Sequence, residues 1–209
     1  MRYDFCHRIY SILFFKASSM DYPESSLREV THLIDTAVAQ TITDANQKLQ
    51  NKLSINSEEE LIAQVQVEPS IEAVLFYRLE RQLFIHDAGN SLLPHLASTM
   101  RRRTGMEIYY STAIGGGFNV QHGFGIVIGP RFSIGKNFTI HQGVTLGQKR
   151  TNSPVDTITI GDNVTVYANA TLLGNITIGD NAVIGANSVV LKDVEANAVY
   201  AGSPAVRLK

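Results

Sequence analysis

Residues Ile160–Val190 read IGDNVTVYANATLLGNITIGDNAVIGANSVV, with a branched aliphatic at Ile160, Val166, Leu172, Ile178, Ile184 and Val190. The period is six, and it does not slip. Upstream, Ile128, Ile134, Ile140 and Leu146 keep the same spacing, as do Ile108, Ile114 and Val120. A six-residue repeat marks a parallel β-helix: one unit cannot bury its apolar side chain alone, and stacked neighbours make a continuous core. Three units make one triangular turn, with turns about 4.8 Å apart. A β-sandwich would separate its strands by variable turns and would not hold one period over six units.

Glycine often follows the aliphatic, as at Gly115, Gly129, Gly135, Gly147, Gly161, Gly179 and Gly185. The expectation is that these glycines take positive φ at tight corners. Small or β-branched residues stand two before the aliphatic, at Val144, Val164, Ala170, Ala182 and Ser188. The sequons at Asn137, Asn163, Asn169 and Asn175 follow from the repeat's use of Asn and Thr, not from glycosylation.

The repeat breaks twice. Eight residues separate Val120 from Ile128, and fourteen separate Leu146 from Ile160. A solenoid extrudes extra residues as loops without disturbing its core, and such loops often carry the binding face. The first break holds Gln121 and His122; the second holds Lys149 and Arg150. An imidazole, with an ordinary pKa near about 6.5, can accept a proton from an alcohol at neutral pH. A lone histidine is more often structural, so position by itself leaves both roles open.

From Ser25 to about Arg103 the pattern is helical. Leu27, Val30, Ile34 and Val38 fall on one face, and Ser26 with Glu29 forms a capping box. A second box, Ser57 with Glu60, precedes Leu61, Ile62 and Val65, and Pro69 suits the first turn of a helix carrying Ile71, Val74, Leu75, Leu79 and Leu83. Four or five amphipathic helices are expected, packed on each other or on a partner subunit. The fold class is therefore α+β: residues 1–104 an α-helical oligomerisation domain, residues 105–209 a β-helix of hexapeptide repeats.

The 209 residues carry a net charge of −1 and a pI near 6.6, which gives no electrostatic footprint for nucleic acid. A small uncharged or zwitterionic substrate fits better. The single cysteine, Cys6, rules out an intrachain disulfide and a cysteine zinc site, and it reads as a small hydrophobe. Arg2 and Arg8 precede the apolar run Ile9 to Phe15, but Lys16 interrupts it and no small-residue cleavage site follows. No run reaches the roughly 18 apolar residues of a membrane span. A cytoplasmic protein without a membrane or metal partner is expected, with Met1 and Met20 both open as the start.

The stretch Glu107 through His122, GIVIG at Gly125–Gly129, VTLG at Val144–Gly147, LLGNITIG at Leu172–Gly179, IGANSVVLKDV at Ile184–Val194 and AGSPA at Ala201–Ala205 together resemble serine acetyltransferases of the hexapeptide-repeat superfamily. A helical half followed directly by the solenoid also matches that layout. The resemblance implies a left-handed coil, the sense opposite to ordinary parallel crossovers. It implies acetyl-CoA as cosubstrate, no metal, and His122 as the base that removes the acceptor hydroxyl proton. A carboxylate fifteen residues earlier, here Glu107, would orient that imidazole.

In proteins of this family coenzyme A lies in the groove between neighbouring solenoids of a trimer, which implies Gly147, Ala168 and Ala186 at the groove. Lys192 is either a phosphate contact or a solvated surface lysine. His141 reads as structural or groove-lining, and as the backup base. The family's second loop usually carries an acidic, Arg, His, Pro segment; this chain reads KRTNSPVDT from Lys149 to Thr157, with Arg150 as the candidate carboxylate contact. Glu68, before Pro69, is the nearest match to the family's Asp-Pro pair and a candidate substrate contact. The triple Arg101–Arg103 reads as a solvated helix end.

The leading acceptor is L-serine, giving O-acetylserine for cysteine synthesis; a sugar hydroxyl in polysaccharide assembly is the alternative, and a silent trimeric scaffold the non-enzymatic one. A homotrimer, with the helical half joining two trimers, is expected. The chain ends at Lys209, without the tail through which relatives engage cysteine synthase, so no such complex is expected.

Overall fold

A computed structural model describes residues 24–49, 54–150 and 156–209 of the chain, with side chains from Leu33 onward. Cys6 and the apolar run near the start lie outside the described residues, and so do the side chains of Ser26, Leu27, Glu29 and Val30. Among the described residues, four helices precede the strands: α1 (Glu24–Leu49), α2 (Glu58–Val67), α3 (Pro69–His86) and α4 (Leu92–Thr104). Helix α1 already begins at Glu24, so Ser26 sits inside it and does not cap it.

The second box forms. Ser57 Oγ accepts from the Glu60 N–H (3.2 Å), while the Glu60 carboxylate takes the Asn56 N–H (2.6 Å), one residue before the serine's own amide. Pro69 opens α3 as its missing amide allows, and Glu68 closes α2 and caps α3 at once. Gly105, at φ 68°, ends α4 in the left-handed conformation that favours glycine.

The strands wind as a left-handed parallel β-helix with three faces. The first stacks β1 (Glu107–Ile108), β4 (Val127–Ile128), β7 (Thr145–Gly147), β10 (Thr171–Leu173) and β13 (Val189–Val190). The second stacks β2 (Ala113–Ile114), β5 (Ser133–Ile134), β8 (Ile158–Ile160) and β11 (Ile176–Ile178). The third stacks β3 (Asn119–Gln121), β6 (Thr139–His141), β9 (Thr165–Val166), β12 (Val183–Ile184) and β14 (Val199–Gly202), closed by the antiparallel β15 (Ala205–Arg207).

The hexad aliphatics stack on one another in register: Ile108, Ile128, Leu146, Leu172 and Val190 run up the first face, and Val120, Ile140, Val166 and Ile184 up the third. All are buried. Each contributes about 1.5–3 kcal/mol of hydrophobic stabilisation.

The glycines after the aliphatics do not take positive φ. That conformation falls two residues later, on Asn137, Asn163, Asn181 and Asn187 (φ 55–59°). Asparagine tolerates the left-handed region because its short polar side chain bonds locally. Here Asn137, Asn163, Asn181 and Asn197 form a ladder, each Nδ2 donating to the next Oδ1 at 2.9–3.1 Å. Glycine is required instead by close approach of successive turns: a Cβ on Gly115 would lie 2.6 Å from the Gly135 carbonyl oxygen.

The helices are fixed to the coil by a buried polar bolt. Asp44 on α1 receives Arg78 of α3 (2.7 and 3.2 Å) and the Gly117 and Phe118 amides (2.8 and 2.9 Å). Arg78 also donates to the Ile114 and Gly115 carbonyls at 2.7 and 2.6 Å. Burial outweighs the guanidinium and holds the Asp44 carboxyl above its ordinary pKa. One turn of α1 beyond Asp44 comes Lys48, so the bolt also sets where Lys48 meets the coil.

Candidate active site

The first break falls at the edge between the third and first faces. His122 occupies the corner at φ 52°, a strained conformation for a side chain of its size, and is exposed. The next residue ties the corner to the helical half: the Gly123 N–H donates to Ser70 Oγ in the first turn of α3 (3.2 Å). Glu68, whose carboxylate accepts from the Ser70 N–H at 3.3 Å, therefore stands beside the break.

From this corner a cleft of about 520 Å³ runs along the outside of the third face, beneath the end of α1. Period-two alternation along β3, β6 and β9 sends the hexad aliphatics inward and Asn119, Gln121, Thr139, His141 and Thr165 outward into the cleft, with Tyr167 beside them. Lys48 and Leu49 form the overhang.

The His141 ring lies 4.9 Å from that of Tyr167 and 6.4 Å from that of His122, centre to centre. Burial first, then the charges of His122 and Lys48, push the His141 imidazole below its ordinary pKa. It is a neutral proton acceptor at neutral pH. The Lys48 ammonium donates to the Val120 carbonyl at 2.7 Å. Partial burial lowers its pKa, and the Glu68 carboxylate acts in the opposite sense.

Other residues singled out in the sequence lie elsewhere. Glu107 opens β1, and its carboxylate receives Arg101 of α4 at 3.0 Å; among the described residues no hydrogen bond joins it to His122. Arg101 and Arg103 are thus not simply solvated, since Arg103 pairs with Glu72. Ala168 and Ala186 stack along the same edge as His122, between the third and first faces. Gly147, Lys192 and Arg150 lie toward the opposite margin of the first face, where the chain turns to the second, and Lys192 and Arg150 are exposed. The far loop is held in part by Asp156, whose carboxylate accepts from the Lys149 N–H at 2.8 Å. Residues 151–155 of that loop lie outside the described part.

Lys48, Ser70 and Tyr167 are the site-forming residues that the hexad pattern did not indicate. Tyr167 carried a usable signal, since it directly follows the aliphatic of a face already known to point His141 outward. Among the described residues no group of three metal-liganding side chains converges, and no helix is long and apolar enough to cross a membrane.

Comparison with known proteins bears on the fold and the repeat. The bacterial transferase hexapeptide family (six repeats) matches residues 157–192. A sequence search of curated proteins returns no match. Among solved structures, serine acetyltransferase from Neisseria gonorrhoeae superposes with TM-score 0.77 at 25% identity, covering 98% of this chain and 77% of its own. Soybean serine acetyltransferase complexed with serine gives 0.75 at 27% identity, covering 87% and 73%. The Vibrio cholerae enzyme gives 0.78 at 25% identity, covering 99% and 77%.

By fold and repeat the chain is similar to the hexapeptide-repeat acyltransferases. The particular members it resembles, helical half included, are the serine acetyltransferases, as the sequence motifs led one to expect.

Proposed function

We propose that this protein transfers the acetyl group of acetyl-CoA to the hydroxyl of L-serine, releasing O-acetylserine for cysteine synthesis. What supports the reading is the corner at His122, where an exposed imidazole lies 6.4 Å from the cleft-lining His141 ring, between the Val120 carbonyl that receives Lys48 and the Gly123 amide tied to Ser70, which Glu68 caps. A zwitterionic amino acid needs both signs of charge around its reacting hydroxyl. Solved serine acetyltransferases with serine bound and with CoA bound have this overall fold.

In the reaction, the imidazole nitrogen of His122 takes the serine hydroxyl proton as the oxygen attacks the thioester carbonyl carbon. The tetrahedral adduct collapses with cleavage of the C–S bond, and the imidazolium returns its proton to the departing thiolate. Glu107 serves as the orienting carboxylate once Arg101 releases it. Glu68 meets the serine ammonium.

The cosubstrate residues occupy two different edges of one solenoid, Ala168 and Ala186 on one and Gly147 with Lys192 on the other. A homotrimer that sets these edges against each other gathers them, with Arg150 of the second loop, around one groove; the helical half would join two such trimers. Sedimentation showing an active monomer would overturn that assembly.

A second reading has its own support. Asn119, Gln121, Thr139 and Thr165 form a neutral hydrogen-bonding row beside the Tyr167 ring, a lining suited to a sugar. Thiol release from acetyl-CoA, with L-serine and a panel of sugars and nucleotide sugars offered separately, decides. Turnover with serine is expected; turnover only with a sugar would move the protein to polysaccharide modification and leave the imidazole chemistry in place.

A further inference from the structure

We infer that Lys48, at the C-terminal end of α1, is the residue that selects an acceptor bearing a carboxylate. This rests on the reading of the acceptor as an amino acid.

Among the described residues lining the cleft, Lys48 is the one lysine or arginine, set among neutral partners and His141. Its ammonium has three donors and commits one to the Val120 carbonyl at 2.7 Å, two residues before His122. The remaining donors stay available to a ligand in the cleft. The position is not that of a freely moving surface lysine. Asp44, one helical turn earlier, is bolted to the Gly117 and Phe118 amides and to Arg78. The stem is therefore directed onto β3 by the same helix face that anchors the helical half.

The anion it meets must sit close to the reacting hydroxyl. The phosphates of coenzyme A are separated from the thioester by the whole pantetheine arm, so a cation two residues from the base cannot serve them while the thioester stands at His122. The carboxylate of a small hydroxy amino acid, two bonds from the carbon bearing its hydroxyl, fits. Glu68, capping α3 at Ser70 and close enough for its charge to act on Lys48, leaves the ammonium its counter-charge. The second loop lacks the usual histidine, and Lys48 supplies from the helical half a cation that this loop does not bring to the cleft of its own chain.

Steady-state kinetics on the full chain test this, with L-serine and L-serinamide as acceptors for the wild type, Lys48→Met and Lys48→Gln. Glutamine offers a shorter, neutral donor toward the Val120 carbonyl, and methionine an uncharged stem of similar length. The wild type should prefer L-serine over L-serinamide by about ten- to a hundredfold in kcat/KM, the worth of a charge-assisted hydrogen bond. Both variants should lose that preference through KM for serine, with KM for acetyl-CoA unchanged.

Variants that keep the preference overturn the inference, as does an equal loss on both acceptors, the mark of a structural role. A wild type that acetylates both acceptors equally overturns it too, while leaving acyl transfer standing. A wild type inert toward both but active on a sugar overturns the amino-acid reading beneath it.

Discussion

The two halves of this molecule are specified by different physics. The solenoid is a periodic object: each hexad buries one aliphatic against the same position one turn away, so a single residue's neighbours are known once the period is known. The helical half packs its own apolar stripes, but its docking on the coil is fixed by individual polar contacts, of which the Asp44–Arg78 bolt and the Tyr77 hydroxyl are the chief ones; Tyr77 donates to the Thr112 carbonyl at 2.9 Å and accepts from the Ile114 N–H at 3.0 Å. The site sits where the two meet. The coil supplies a regular wall, and the helices supply the charges that make the wall selective.

The comparison predicts where function and stability separate. His122→Ala should cost about 10²–10⁴ in kcat, the range of general-base catalysis, with an unchanged unfolding midpoint, because the corner is exposed and outside the core. His141→Asn should cost less. Full activity in the first variant combined with a large loss in the second would assign the base to His141, whose ring already lines the cleft.

Arg78→Met tests the other half. It leaves Asp44 buried with no counter-charge and should destabilise by about 3–5 kcal/mol in urea unfolding. The loss should fall on the helices first, so that serine turnover fails at lower urea than the far-ultraviolet signal of the coil. Coincident transitions would mean that the two halves unfold as one unit. Within the coil, Asn163→Ala removes two ladder bonds at a left-handed corner and should cost only about 1–2 kcal/mol, since both are solvent-exposed and one corner of many is affected.

What the sequence made legible follows the same division. The stacked aliphatics and the positions of both breaks could be read because six-residue spacing leaves no freedom about which side chain is inside. The corner glycines were misread in their cause: crowding between turns, as at Gly115 and Gly135, is a contact between residues twenty apart, whereas φ is local, and the composition of one hexad cannot tell them apart. Lys48 and Asp44 were invisible for a different reason. A helical stripe identifies apolar residues facing a core, but a buried carboxylate one turn from a half-buried lysine has the pattern of an ordinary solvated helix face. Only the docking of α1 on β3 distinguishes them. Glu107 shows the reverse case: fifteen residues before His122 in sequence, it is held by Arg101 from a helix whose approach no spacing rule contains.

Glu80 gives the finest test of the helical half. It lies fully buried on α3, neither carboxyl oxygen has a hydrogen-bond partner among the described residues, and burial drives its pKa well above the ordinary 4.5, with the charge of Arg101 opposing. The folded state thus holds a proton that the unfolded chain releases above pH about 4.5. Between that value and the raised folded pKa the native state binds more protons, so stability falls as pH rises. Glu80→Gln, neutral at every pH, removes this slope. Its melting temperature relative to wild type should therefore rise from pH 5 to pH 8, by a modest amount because the amide is equally short of partners. A difference that is flat with pH would mean that Glu80 is already ionised in the fold throughout that range, with the charge of Arg101 compensating its burial.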